Sequence, residues 1–201
     1  MSTTTRTADA VQLYATKNDL PESTRAQAIT LLNQRLSDCI DLQTQCKQAH
    51  WNVKGKSFIA LHKLFDEVNE AVEEYLDLIA ERVVQLGGIA EGTVRIVASR
   101  SSLDVYPVLL SDGMDHVDAL SSALAAFGRT ARIGITEMDD LDDADSADIL
   151  TEVSRGIDKW LWFVEAHRQT TPDDAEDHDR SPSNGSPTPH RNNSRHRESR
   201  R

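Results

Sequence analysis

Residues 57–88 read SFIALHKLFDEVNEAVEEYLDLIAERVVQLGG and carry the clearest structural signal in the chain. Apolar side chains recur there at steps of three and four, which places them on one face of an α-helix. They are Leu61, Phe65, Val68, Val72, Tyr75, Ile79, Val83 and Leu86. The Gly87-Gly88 pair that follows is typical of a helix end, because glycine readily adopts the left-handed cap conformation. This stretch predicts an amphipathic helix from Ser57 to Leu86.

Helical spacing continues on both sides of this helix. Residues 21–51 contain no Gly, and no Pro beyond the first residue, and predict one long helix. Downstream, the spacing predicts a short linking helix at 91–100 and two long helices at 102–132 and 145–169, with Gly134 marking the end of the former. The apolar stripe of the 102–132 helix runs through Tyr106, Leu110, Val117, Leu120, Leu124 and Phe127. No stretch alternates as a strand would, so the sequence predicts an all-α four-helix bundle with one short linking helix.

Length and charge indicate how the chain is organised. The 201 residues carry a formal net charge of -11, which argues against a generally basic nucleic-acid binder and suits a protein that handles cations. The predicted parts are a mobile N-terminal arm (1–20), one bundle domain (21–170) and a disordered Arg-rich C-terminal tail (171–201). The tail is set apart because it lacks the apolar residues whose burial would offset its ordering entropy.

The sequence also indicates a compartment. No apolar run approaches the roughly 20 residues that a membrane-spanning helix needs, and the first residues lack the apolar segment of a signal peptide. We therefore expect a cytoplasmic protein without a membrane partner. Cys39 and Cys46 lie roughly 10 Å apart along one predicted helix, too far for a disulfide within it, and are expected to be buried free thiols.

Four potential metal ligands lie on one flank of the 57–86 helix: His62, Asp66, Asp77 and Glu81. A metal needs its ligand atoms about 2 Å away, yet Asp66 and Asp77 are separated by roughly 16 Å along the axis. One copy of the helix therefore cannot close the site.

A second copy of the same helix can close it. His62 and Glu81 are centred on the point between Ala71 and Val72, and so are Asp66 and Asp77, so a two-fold axis there would bring each pair together. His50 could join from the end of the first helix. Imidazole with carboxylate suits Fe or Mn, with Zn as a competitor. The plainer alternative is that the acids are solvated or paired with basic residues and that His62 is an ordinary interface histidine.

A site within one chain is disfavoured. The common di-iron bundle uses Glu-x-x-His pairs, and no His in this chain has Glu three residues before it; Lys47 takes that position before His50.

The stretch HWNVKGKSFIALHKLFDEVNEAVEEYLDLIAERVVQLGG, residues 50–88, resembles the Dps family, the mini-ferritins that protect DNA in starved cells. The resemblance continues more loosely through residues 143–167. It implies a ferritin-like fold and a ferroxidase site made by His50, His62 and Asp66 of one subunit with Asp77 and Glu81 of its two-fold mate. It also implies a hollow homododecamer that oxidises Fe(II), preferably with hydrogen peroxide, and stores Fe(III) mineral, protecting against oxidative damage.

Three further residues follow from the resemblance. Trp51 matches a family tryptophan beside the site, where its indole N–H could contact the oxidant, although an aromatic there could equally serve packing. Asp145 and Asp148 would line the three-fold pore through which iron enters, where carboxylates concentrate cations. Acids at a helix start are also favoured by the helix dipole, which is the plainer explanation.

DNA binding is left open. Family members often use a Lys-rich N-terminal arm, but residues 1–21 contain only Arg6 and Lys17 as basic residues. The C-terminal tail could substitute, since residues 180–201 hold six Arg against one Glu and many copies on one shell would add avidity. Two alternatives therefore stand beside the iron-oxidising store: a nucleoid-associated DNA-compacting protein with a vestigial metal site, and a helical scaffold without metal chemistry.

Overall fold

The computed structural model describes residues 11–169, which form five α-helices. They are α1 (Glu22–Asn52), α2 (Phe58–Gln85), α3 (Val94–Arg100), α4 (Gly113–Asp140) and α5 (Ala144–Glu165). The predicted all-α bundle with one short helix between the second and third long helices is confirmed. Short connections make α1 and α2, and likewise α4 and α5, adjacent hairpin partners. In the described part of the chain the only β-type pairing is an isolated bridge between Lys54 and Asp112.

The apolar face of α2 forms the centre of the core. Seven of its eight predicted stripe residues are fully buried, and Tyr75 is partly buried. Tyr75 reaches α5 at Gly156, where an added Cβ would lie 2.0 Å from the tyrosine hydroxyl oxygen. Glycine at that position therefore lets α2 and α5 approach closely.

The predicted start of the third long helix was wrong. The helix begins at Gly113, not at residue 102, because the side chain of Asp112 accepts a hydrogen bond from Met114 N at 2.8 Å and caps it there. Tyr106 and Leu110 keep helical spacing but belong to the preceding connection. The buried Tyr106 packs instead beside His116, with its hydroxyl 2.6 Å from His116 Nδ1.

The predicted end of that helix was also wrong. Gly134 lies inside α4, which continues to Asp140. An added Cβ at Gly134 would lie 2.8 Å from Leu150 Cδ1 of α5, so this glycine permits close packing of two helices and does not end one. The last long helix ends at Glu165, four residues before its predicted end.

Both cysteines are buried and free, as predicted. Burial raises the pKa of the Cys46 thiol to about 12 and raises the pKa of Cys39 as well. These thiols are therefore protonated and unreactive in the folded chain.

The helices belong to one compact unit that ends at Arg168. Within the predicted N-terminal arm, residues 11–20 have no regular secondary structure, and Tyr14 N donates to Gly87 O at 2.7 Å. The rest of that arm (1–10) and the predicted tail (171–201) lie outside the described residues. Among the helices that are described, none is long and apolar enough to cross a membrane.

Candidate metal centre

The two predicted histidine ligands meet where α1 ends and α2 begins. Their rings stack with centroids 3.8 Å apart. His50 Nδ1 lies 2.7 Å from the carbonyl oxygen of His62, and His62 Nδ1 lies 2.8 Å from the carbonyl oxygen of His50. Because a carbonyl oxygen only accepts, each Nδ1 must carry the proton. This tautomer leaves each Nε2 as the nitrogen available to a metal ion, as in metal-binding histidines.

Asp66 lies one turn beyond His62 on α2. Its Oδ1 is contacted by the Lys47 ammonium, and it lies 3.9 Å from His50 Nδ1. The hydrogen bond from Lys47 lowers the pKa of Asp66, so this carboxylate is ionised at neutral pH. The structure therefore brings three of the five predicted ligands, His50, His62 and Asp66, into one neighbourhood.

The other two predicted ligands, Asp77 and Glu81, lie on the far part of α2 and are exposed. Since α2 is unbroken from Phe58 to Gln85, Asp66 and Asp77 are roughly 16 Å apart along its axis. Residues 11–169 of a single chain contain no group of three or more His, Cys, Asp or Glu side chains able to hold a metal ion, so His50, His62 and Asp66 lie near one another without forming a metal site by themselves. A complete site with Asp77 and Glu81 requires a second chain and stays a prediction.

The flank that carries these ligands leaves apolar surface exposed in the single chain. Val84 is 58% exposed, and a shallow groove of about 400 Å³ lies between it, Ala80 and Ala90. Trp51 of α1, next to His50, is 69% exposed and lines a cavity of about 560 Å³ together with Lys47. An apolar patch with a polar rim is typical of an interaction site, and the groove at Val84, Ala80 and Ala90, rimmed by Glu81 and Gln85, is of that kind.

The acidic residues at the start of α5 are Asp143, Asp145 and Asp148, of which one is buried and two are exposed. Asp143 is buried, caps α5 by accepting from Ser146 N at 3.1 Å, and pairs with the buried Arg82 of α2 at 2.6 Å. Asp145 and Asp148 are exposed, the former with 84% of its side chain accessible. Capping therefore accounts for Asp143, whereas the assignment of Asp145 and Asp148 to a pore stays a prediction.

Comparison with known proteins identifies the family to which the chain belongs. Residues 29–173 match the family described as a ferritin-like domain. Over 159 residues the chain is 43% identical to the DNA protection during starvation protein of Agrobacterium fabrum, covering 79% of this chain and 98% of that protein. The chain belongs to the Dps family of ferritin-like proteins.

Solved Dps structures agree with this assignment. DpsA14 from Streptomyces coelicolor superposes with a TM-score of 0.76 at 29% identity, covering 81% of this chain and 96% of that one. Mycobacterium smegmatis Dps, in its tetragonal form, gives 0.74 at 31% identity, covering 78% and 96%. The predicted ferritin-like bundle and the resemblance to Dps are thus confirmed.

Two residues of this Dps chain were not singled out as functional from its sequence. In the sequence Lys47 stands out only as the residue that replaces Glu in a Glu-x-x-His pair with His50. Its place one turn before His50 nevertheless puts both side chains on the same helix face. Arg82 follows the predicted ligand Glu81 in the sequence, yet its side chain is only 5% exposed. The signal for Arg82 lies in tertiary packing, since its partner Asp143 is the cap residue of another helix, α5.

Proposed function

We propose that this chain is a ferroxidase and iron-storage protein that protects against oxidative damage. It oxidises Fe(II), preferably with hydrogen peroxide, and keeps the Fe(III) product as mineral inside a hollow homododecamer. The observation that carries the proposal is the His50 and His62 stack, in which both Nδ1 atoms are engaged and both Nε2 atoms are free. Family membership supports the iron-storage and stress-protection class.

In this proposal Fe(II) is the substrate, held by His50, His62 and Asp66 of one subunit with Asp77 and Glu81 of its two-fold mate. Mixed imidazole and carboxylate donors suit Fe(II), with Mn(II) and Zn(II) as competitors. The carboxylates supply negative charge that stabilises the Fe(III) product more than Fe(II). Each of two Fe(II) ions gives one electron to hydrogen peroxide, whose O–O bond breaks and which takes up two protons from solvent to form two water molecules.

Residues around the ligands have supporting roles. In this proposal the indole of Trp51 contacts the oxidant, and closure of the interface over it would exclude bulk water. Asp145 and Asp148 would concentrate Fe(II) at a three-fold pore, because exposed carboxylates raise the local cation concentration.

Fe(II) oxidation by peroxide, measured alongside native mass, tests the proposal. Replacing His62 by Ala and Asp66 by Asn together should slow oxidation at least about tenfold, as expected when ligands of the reacting ion are removed, while the assembly mass stays unchanged. The matched control replaces an exposed His and Glu at the end of α5, His167→Ala with Glu165→Gln, and should leave the rate unchanged. Equal rates in the two double variants would remove the site assignment.

DNA compaction is the second candidate function. It is supported by the name of two relatives, DNA protection during starvation protein, and by the Arg-rich tail. This function would place the chain on the nucleoid in the cytoplasm. A gel-shift comparison of the full chain with a chain ending at Thr171 tests it. Salt-sensitive retardation that needs residues 172–201 is the expected result. No retardation by either form would exclude DNA binding.

A further inference from the structure

Lys47 is placed where a metal ligand would be expected. It lies one turn before His50 on α1, the position that Glu holds in the Glu-x-x-His motif of di-iron bundles. Its ammonium contacts Asp66 Oδ1, and both side chains are about one-third exposed. It is the only lysine that forms an ion pair among residues 11–169. The site thus contains a cation of its own.

This cation competes with a metal ion for Asp66. The ammonium takes up one acceptor site on Oδ1 and neutralises the carboxylate charge, and its positive charge repels a divalent ion nearby. A lysine ammonium can readily leave a carboxylate such as that of Asp66, because it is a compact charge on a flexible stem.

The structure also offers the ammonium another place. Lys47 lines the cavity of about 560 Å³ that is shared with Glu73 of α2. Glu73 is exposed and makes no ion pair with any described residue. The lysine can therefore leave Asp66 for a solvent-open cavity whose lining includes the carboxylates of Glu73 and Asp41.

We propose that Lys47 is a built-in competitor of the metal ion: its ammonium holds Asp66 in the metal-free protein and is displaced when a divalent cation binds. Lys47 is then an affinity-setting residue, which makes the site release or refuse weakly held cations. This inference rests on the proposed function, since it takes Asp66 to be a metal ligand.

Calorimetric titration of the assembled full-length protein with Zn²⁺ tests the inference, because Zn²⁺ is not oxidised and no turnover contributes. Lys47→Met removes the competitor and should tighten zinc binding at least about tenfold, or 1.4 kcal/mol. Lys47→Gln should do the same and serves if Lys47→Met fails to assemble. Lys47→Arg retains the charge and should bind zinc as the unmodified chain does.

Lys63→Met is the matched control. Lys63 is exposed beside His62 and makes no ion pair with any described residue, so its removal measures the effect of losing any positive charge near the site. It should change zinc affinity by less than about threefold. Equal tightening by Lys63→Met and Lys47→Met would overturn the inference, as would unchanged or weaker binding in both uncharged Lys47 variants.

The two proposals fail differently. If the unmodified protein binds zinc and loses that binding in the variant with His62→Ala and Asp66→Asn, the metal site stands, and the Lys47 series alone decides the inference. If the unmodified protein binds no zinc, or binds it no better than this double variant does, the proposed metal site and the inference both fall.

Discussion

A site divided between two chains predicts that two inactive variants restore each other. One variant carries His62→Ala and Asp66→Asn, and the other carries Asp77→Asn and Glu81→Gln. Each alone should lose Fe(II) oxidation, because every two-fold interface then lacks one half of both sites. In a mixed dimer, one site combines the natural histidine half of the second variant with the natural carboxylate half of the first. The other site of that dimer lacks both halves.

The size of the recovery follows from the geometry. Asp66 and Asp77 are on one unbroken helix, roughly 16 Å apart along its axis, so no chain can use both at one metal ion. Random pairing of equal amounts makes half of the dimers mixed, and each mixed dimer has one intact site of two. The mixture should therefore hold about one quarter of the unmodified number of sites. Recovery should rise and fall with the mixing ratio and be greatest at equal amounts.

Co-expression with two different affinity tags, followed by purification on both, gives the mixed assemblies. Native mass spectrometry gives the ratio of the two chains, and the initial rate of peroxide-dependent Fe(II) oxidation gives the activity. Zinc stoichiometry in the same samples provides a readout that does not depend on turnover. A mixture no more active than the average of its parents, at every ratio, would refute the two-chain site.

Three stability predictions can be checked by chemical denaturation at equal chain concentration. Asp143→Asn should cost about 3 kcal/mol, because the buried Arg82 guanidinium loses its buried counter-ion and keeps the exposed Asp145, 3.7 Å away, in its place; a cost below about 1 kcal/mol would contradict the buried pair. Gly156→Ala should cost about 1–3 kcal/mol through the clash with the Tyr75 hydroxyl, and Tyr75→Phe should recover part of this loss; no loss, or no recovery, would count against the close approach. Burial lowers the pKa of His116 below 6.5, so the unfolded chain binds the extra proton first and stability should fall as pH drops from 6.5 toward the lowered pKa. His116→Gln should reduce that fall, and an unchanged pH dependence would show that His116 is not its source.

The fold could be predicted where the spacing of the apolar residues and the positions of the helix-breaking Gly and Pro residues indicated the same helix. On α2 both pointed to one helix, and its observed bounds, Phe58–Gln85, lie within one residue of the prediction. The start of α4 was missed because Tyr106 and Leu110 continue the period by chance, while the capping bond of Asp112 that fixes the start is a single local contact. The prediction at Gly134 was wrong because glycine can either end a helix or allow two helices to pack closely. Only the position of Leu150 on the neighbouring helix shows that Gly134 has the second role.

The candidate site shows the same division between local and tertiary signals. His62 and Asp66 could be chosen from spacing within one helix. The ring stack with His50 could not, because it depends on how the five-residue connection between α1 and α2 returns the chain. The contact of Lys47 with Asp66 is equally invisible in sequence, since it joins residues 19 positions apart on two helices.

Symmetry explains why the proposed site at the two-fold interface could be predicted from a single sequence, whereas the proposed pore at the three-fold axis could not. A two-fold axis crossing a helix pairs each position with a different one on the other side of the axis, so complementary ligands appear at mirrored positions about one point. His62 with Glu81 and Asp66 with Asp77 have that property. A three-fold axis brings a residue next to two copies of itself, so a pore needs only one suitable side chain and leaves no spacing pattern. For Asp145 and Asp148 the chain therefore offers only exposure and charge, and their role must be tested in the assembly: neutralising both should slow Fe(II) uptake while leaving zinc affinity at the two-fold site unchanged.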